Sequence, residues 1–178
     1  MIVTVGHGRL DADELGALLT GAGIELLVDI RRFPGSRSNP AAARGALPEL
    51  AEGLGIAYRW EERLGGRRHL TREQDEASPD TWWRVAAFRA YAGWTRSPEF
   101  RAAMDELAVE ARERTTAVLC SEAVWWRCHR RLVADVAALE HGLEVRDLMH
   151  DGRCDLHEPS AGARLDGDGH LVWDGEQT

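Results

Sequence analysis

Thr115–Arg130 reads TTAVLCSEAVWWRCHR, and its interpretation decides the fold. The apolar run Thr116–Cys120 has the length and β-branched content of a buried strand, and it stops at Ser121 and Glu122. Trp125 and Trp126 follow. Cys128, Leu132, Val136 and Leu139 then form a helical stripe that Gly142 closes. A strand running into a helix is half of a βαβ unit. Between Cys120 and Arg130 a thiol, a carboxylate, an imidazole and a guanidinium crowd one strand-to-helix junction, where ligands collect in α/β proteins.

The same alternation recurs on both sides. Ile2–Val5 reads as a first strand ending in Gly6-His7-Gly8. Asp11 and Glu14 form a capping box for a helix with Leu15, Leu18, Leu19 and Ala22 inward. Ile24–Ile30 is the nearly continuous apolar run of a buried parallel strand, broken by Asp29, whose carboxylate needs a partner such as Arg31 or Arg32. A Pro/Ser/Gly loop over 33–40 leads to a helix expected over Ala41–Leu54, then to a third strand, Ile56–Trp60. The Gly65-Gly66 loop and an exposed polar connection over Thr71–Pro79 come next. Two helices are expected over Asp80–Trp94 and from Ser97-Pro98-Glu99 onward, the latter with Ser as N-cap and Pro at its first position. Leu143–Met149 reads as a fifth strand ending at His150, and Leu165–Leu171 as a hairpin around a DG turn.

Strands separated by helices imply parallel pairing through right-handed crossovers. The expected fold is a single-domain, three-layer, Rossmann-like α/β structure with a mostly parallel sheet of about five strands. Residues 1–150 would form that domain, and 151–178 a polar extension carrying the small hairpin. The carboxyl ends of the strands would then share one edge with the helix N-termini, which favour anions.

Composition narrows the function. A net charge of −8 argues against a protein that coats duplex nucleic acid. All 22 positive side chains are Arg, so neither a Schiff-base lysine nor a P-loop lysine exists. GHGR after the first strand is not a GxGxxG dinucleotide fingerprint. No window is apolar enough for a membrane span, MIVTVGHG lacks the features of a signal peptide, and three cysteines fit free thiols in a reducing cytoplasm.

Each candidate side chain has a functional and a structural reading. Cys120 is a nucleophile if helix N-termini or cations lower its pKa, or a small buried apolar residue otherwise. Glu122 is a general acid or base, or an ion-pair partner of Arg31 or Arg130. His7, between glycines, is a pocket acid/base or a hydrogen-bond partner of Asp29 or Glu122. Arg31, with Ser36 nearby, suits a bidentate clamp for phosphate or carboxylate. Cys128 and His129 with Cys120 or His7 offer zinc-type donors. However, a bare Cys-His pair without CxxC or HxxxH spacing favours packing, so no cofactor is expected and zinc ranks below it. Cys154 and His157 alone suggest no site.

The landmarks Thr4-Val5-Gly6-His7, Asp29-Ile30-Arg31 with Pro34 and Ser36, Ile56 with Tyr58, Leu64-Gly65-Gly66, Tyr91 with Thr95 and Phe100, Leu119-Cys120-Ser121-Glu122, Cys128-His129-Arg130 and His150 together resemble the domain of unknown function 488 family over roughly residues 2–150. Gly8 stands where that family usually has a hydroxyl residue, and Ser38-Asn39-Pro40-Ala41 lacks its usual aromatic. The resemblance implies an α/β fold and a polar pocket. The expectation is a cytoplasmic transferase or hydrolase acting on a small anionic or nucleotide-like substrate, nucleic acid included. Cys120, Glu122, His7 and Asp29 would do the chemistry, and Arg31, Ser36, Arg130, His129, Tyr58, Gly65 and Gly66 would hold the substrate. A binding module for nucleotides or nucleic-acid ends, and a thiol-dependent sulfur-transfer or redox protein, stand as alternatives.

Overall fold

The run that ends in Cys120 is a strand in the middle of the main sheet. In the computed structural model, which describes residues 1–175, five strands run parallel: β1 (Ile2–Gly6), β2 (Leu26–Asp29), β3 (Ala57–Trp60), β4 (Thr116–Cys120) and β5 (Val145–Leu148). A sixth, β6 (Cys154–Leu156), adds antiparallel to β5, giving the order β3-β2-β4-β1-β5-β6. The sixth strand is absent from the sequence reading, because three residues between polar neighbours carry too little periodicity to mark a strand. The last three residues of the expected C-terminal extension, 176–178, lie outside the described residues.

Side chains alternate between faces along each strand, and two cores follow. On one face Val3, Val5, Leu27, Ala117 and Leu119 pack against helices α1 (Ala12–Gly21) and α2 (Ala46–Gly53), which supply Leu15, Leu19, Leu47 and Ala51. On the other face Ile2, Leu26, Val28, Val118 and Cys120 meet the later helices. After the short α3 (Arg72–Glu76), these are α4 (Ala86–Thr95), α5 (Pro98–Glu113) and α6 (Arg130–Leu139). The connection after β1 therefore crosses one face and the connection after β4 the other. The gaps flanking β4 are topological switch points, where open α/β sheets place their ligands.

Several element boundaries differ from the sequence reading. The helix expected from Ala41 begins at Ala46, because Pro40–Ala42 forms a 3-10 turn and Gly45 takes a left-handed φ of 87°. The expected connection over 71–79 contains α3, started by a Thr71/Gln74 capping box. The helix expected from Asp80 begins only at Ala86. Asp80 is fully buried and is used instead to accept from Arg96 Nη2 at 2.6 Å and from the Trp173 backbone at 3.2 Å.

The hairpin of β7 (Ala163–Leu165) and β8 (Leu171–Trp173) forms where the DG turn placed it. Its last residue is the largest fully buried side chain among the described residues, and Trp173 Nε1 donates to Asp135 Oδ2 at 2.9 Å. Beside it His157 sits between two buried carboxylates, 3.0 Å from Asp135 Oδ1 and 2.7 Å from Asp147 Oδ2. Burial alone would lower its pKa. The two hydrogen-bonded carboxylates outweigh burial and raise it to about 9. The Arg131 guanidinium lies 5.2, 5.1 and 5.6 Å from the rings of Trp82, Trp83 and Trp125.

Candidate functional site

At the carboxyl end of β4 a cavity of about 410 Å³ opens toward the face of α4 and α6. Its floor is Cys120, at the end of β4, with Cys128 and His129, just before α6. His129 Nδ1 lies 3.6 Å from each sulfur. His129 Nε2 lies 3.2 Å from the carbonyl oxygen of Ile30. A carbonyl only accepts, so that nitrogen carries a hydrogen, and Nδ1 is the ring nitrogen left facing the sulfurs. Cys128 Sγ also accepts from the backbone N–H of Arg130 at 3.5 Å, at the start of α6.

The two thiols divide their roles. The neighbouring Cys128 sulfur, with burial, pushes the Cys120 thiol up. Burial resists ionisation of Cys128 as well, but the neighbouring Cys120, His129 and Arg130 overcome it and hold Cys128 well below the usual thiol range. These surroundings favour Cys128 as the more acidic thiol, although the residue types alone made Cys120 the more obvious nucleophile.

Four guanidinium groups line the cavity, from Arg31, Arg32, Arg67 and Arg127, against one carboxylate, Glu122. Among the described residues Arg32, Arg67 and Arg127 form no salt bridge, and the exposed Glu122 carboxylate has no partner. The ion pair between Glu122 and Arg31 or Arg130 does not form. Arg31 is held by Asp29 through Nε at 2.8 Å and Nη2 at 2.6 Å, and by the Ala42 carbonyl at 3.0 Å. Arg130 is buried and spends its two terminal amines on the carbonyls of Glu122 and Ala123. It braces the loop that carries Glu122 and does not line the cavity.

Asp29 accepts four hydrogen bonds, from the Arg31 backbone, Arg31 Nε and Nη2, and Tyr58 Oη at 3.1 Å. It acts as a positioning group for Arg31. Tyr58 is tied to it, and burial followed by the Asp29 charge raises the phenol pKa. His7 lies away from the cavity lining, because strand alternation puts it on the face opposite Cys120. Its Nδ1 is 3.0 Å from the Gly8 carbonyl, its Nε2 is buried without a partner, and burial lowers its pKa. Ser36 also lies outside the cavity lining and accepts from the backbone N–H of Asn39 at 3.0 Å, shaping its own loop.

The Gly65-Gly66 pair has a packing role. A Cβ on Gly65 would lie 2.6 Å from Arg32 Cα, and one on Gly66 would lie 2.8 Å from His129 Nδ1. The Gly66 backbone therefore lies against the imidazole at the cavity floor.

Two contributors escaped sequence reasoning. Asn39 is buried and donates to the carbonyls of Gly8 at 3.1 Å and Leu10 at 2.9 Å, clamping the loop after β1. The Asn-Pro pair before the 3-10 turn was its only signal. Arg67 is the one non-glycine residue with a positive φ, 58°, among the described residues, and nothing in its sequence neighbourhood announces that geometry.

A family model described as Domain of unknown function DUF488 matches residues 11–137. No curated protein and no solved structure was found to match the chain.

Proposed function

The chain belongs to the family of the domain of unknown function DUF488, and from the site it carries we propose a transferase or hydrolase that acts on a small anionic substrate at the carboxyl end of β4. One observation carries this reading: a cavity of about 410 Å³ sets four guanidinium groups against one carboxylate in a chain of net charge −8. That volume suits a small molecule or a nucleotide-sized group. Arg32, Arg67 and Arg127 neutralise a phosphate or carboxylate, and Arg31, fixed by Asp29, offers its remaining N–H bonds. Glu122, without an ion-pair partner and braced through its backbone by Arg130, transfers the proton. Phe33, 62% exposed and next to the guanidinium groups of Arg32 and Arg67, gives a flat apolar face for a base or similar ring. Three free thiols suit a reducing compartment such as the cytoplasm, and no helix is long and apolar enough to cross a membrane.

A second reading, thiol-dependent sulfur transfer or redox chemistry, is favoured by the more acidic Cys128 thiol beside Cys120 and His129. Substitution separates these possibilities. Glu122→Gln abolishes turnover of phosphate or carboxylate esters while the ligand still binds; if Glu122→Gln shifts affinity alone, the chain is a binding module. Arg67→Ala weakens pyrophosphate binding about tenfold in calorimetric titration, the effect of one charge-assisted hydrogen bond. Turnover that survives Glu122→Gln but vanishes in Cys128→Ser selects the thiol reading.

A further inference from the structure

We propose that Cys120, Cys128 and His129 form a zinc site whose fourth coordination position faces the cavity. The ligand atoms of the three residues lie within 4.8 Å of one another. The two sulfur-to-nitrogen distances are 3.6 Å each. A tetrahedral ion with bonds of about 2.3 Å to sulfur and about 2.05 Å to nitrogen needs sulfur and nitrogen about 3.6 Å apart. Both sulfur-to-nitrogen separations already match what the ion requires.

Charge supports the assignment. Two adjacent buried sulfurs cannot both ionise without a cation between them. A divalent ion with two thiolates and a neutral imidazole is a neutral centre, and it removes that conflict. Binding breaks the S–H bond of each thiol that carries one, forms two Zn–S bonds and one Zn–N bond, and releases each displaced proton to solvent. Two thiolates and one imidazole suit zinc better than magnesium or calcium, which take oxygen donors.

The surroundings hold the donors in place. The Ile30 carbonyl fixes the His129 tautomer that leaves Nδ1 free to ligate, the usual support for a metal-bound imidazole. The Arg130 backbone N–H steadies Cys128 Sγ. Gly66 leaves room for the imidazole where any side chain would press on Nδ1. Cys128 and His129 are consecutive, and consecutive side chains in extended chain diverge. Here the backbone changes from extended at Cys128, with φ −126° and ψ 149°, to helical at His129, with φ −59° and ψ −20°. That bend turns both donors toward Cys120, which is why ligand-spacing rules miss the set.

Among the described residues no fourth Cys, His, Asp or Glu joins the group. Three protein ligands and one open position are the pattern of catalytic rather than structural zinc. The open position faces the cavity that also holds Glu122. The site goes beyond the proposed reaction and stands whether or not the chain turns over an anion.

The test is zinc content and affinity in the full chain, stripped with a chelator and dialysed against Zn²⁺. Wild type and Cys154→Ser bind one zinc per chain. Cys120→Ser, Cys128→Ser and His129→Asn lose about a hundredfold or more in affinity, and Gly66→Ala, which keeps all three ligands, loses about 10- to 100-fold. Co²⁺ in the same site gives a sulfur-to-metal charge-transfer band that both cysteine variants lack. Should a cysteine variant fail to fold, wild type still decides: iodoacetamide labels Cys120 and Cys128 in stripped protein, and Zn²⁺ blocks that labelling. Wild type that holds no zinc, variants that bind as tightly as wild type, or labelling indifferent to Zn²⁺ would overturn the site. Zinc binding without turnover of any anionic ester removes the enzyme reading alone. Turnover by a chain that takes up no zinc removes the metal alone.

Discussion

Between Asp135 and Asp147, His157 is protonated in the folded chain at neutral pH, and its pKa of about 9 lies above the ordinary 6.5. A raised folded-state pKa gives stability that is complete below the unfolded value and is lost as pH rises through the folded one. The chain should therefore lose roughly 3 kcal/mol of unfolding free energy between about pH 6.5 and pH 9.5. Urea titrations across that range check it, and His157→Gln should flatten the slope; an equal slope in that variant removes the assignment. Nothing near His157 in the sequence announces this. Its partners lie 22 and 10 residues away and are brought together by α6 and the β5–β6 pairing. That Cys120 and Glu122 line one cavity was legible because they stand on the junction itself. The Asp29–Arg31 pair was legible because its members are two residues apart in the chain, at the end of β2.

At the scale of elements, period-two alternation explains why the expected site divides. Cys120 pairs with Gly6 across the β1–β4 register, so the next residue, His7, faces α1 and α2 while the sulfur faces α6. The strands and their order of appearance could be read from apolar runs, but the register that decides which end groups share a face could not. The same β1–β4 edge yields a prediction. A Cβ on Gly6 would fall 1.7 Å from the Glu122 carbonyl, the oxygen that Arg130 holds. Gly6→Ala must push the 121–123 loop off that anchor, at a cost of about 1–3 kcal/mol. A lowered melting temperature together with lost pyrophosphate binding is the expected result. An unchanged melting temperature would mean that the loop yields freely and that Arg130 does not brace it.

On the scale of the molecule, the segment after residue 150 is bound into the rest. It supplies β6, the fully buried Trp173, and the histidine between two carboxylates. Asp80 receives Arg96 on one side and the Trp173 backbone on the other, so α4 and the hairpin share one buried acid. A chain ending at residue 150 leaves Asp135 and Asp147 buried without His157, and leaving a buried charge unpaired costs about 3–5 kcal/mol. Truncation should abolish cooperative thermal unfolding, as differential scanning calorimetry would show; a sharp transition near that of the full chain would mark 151–178 as dispensable. Polar composition hid this role, because the segment contributes to the core through a few residues such as Leu171 and Trp173 and otherwise faces solvent.

Trp125 meets the His157 ring edge-on, with centroids 5.1 Å apart, and Trp82, Trp83 and Trp173 lie in the same neighbourhood. An excited indole surrenders an electron more readily to an imidazolium than to a neutral imidazole. Ultraviolet emission should therefore brighten as that ring discharges, and it should redden when the hairpin lifts and water reaches the indoles. The molecule thus carries its own optical gauge, readable without a dye, for both the ionic and the mechanical state of its C-terminal region.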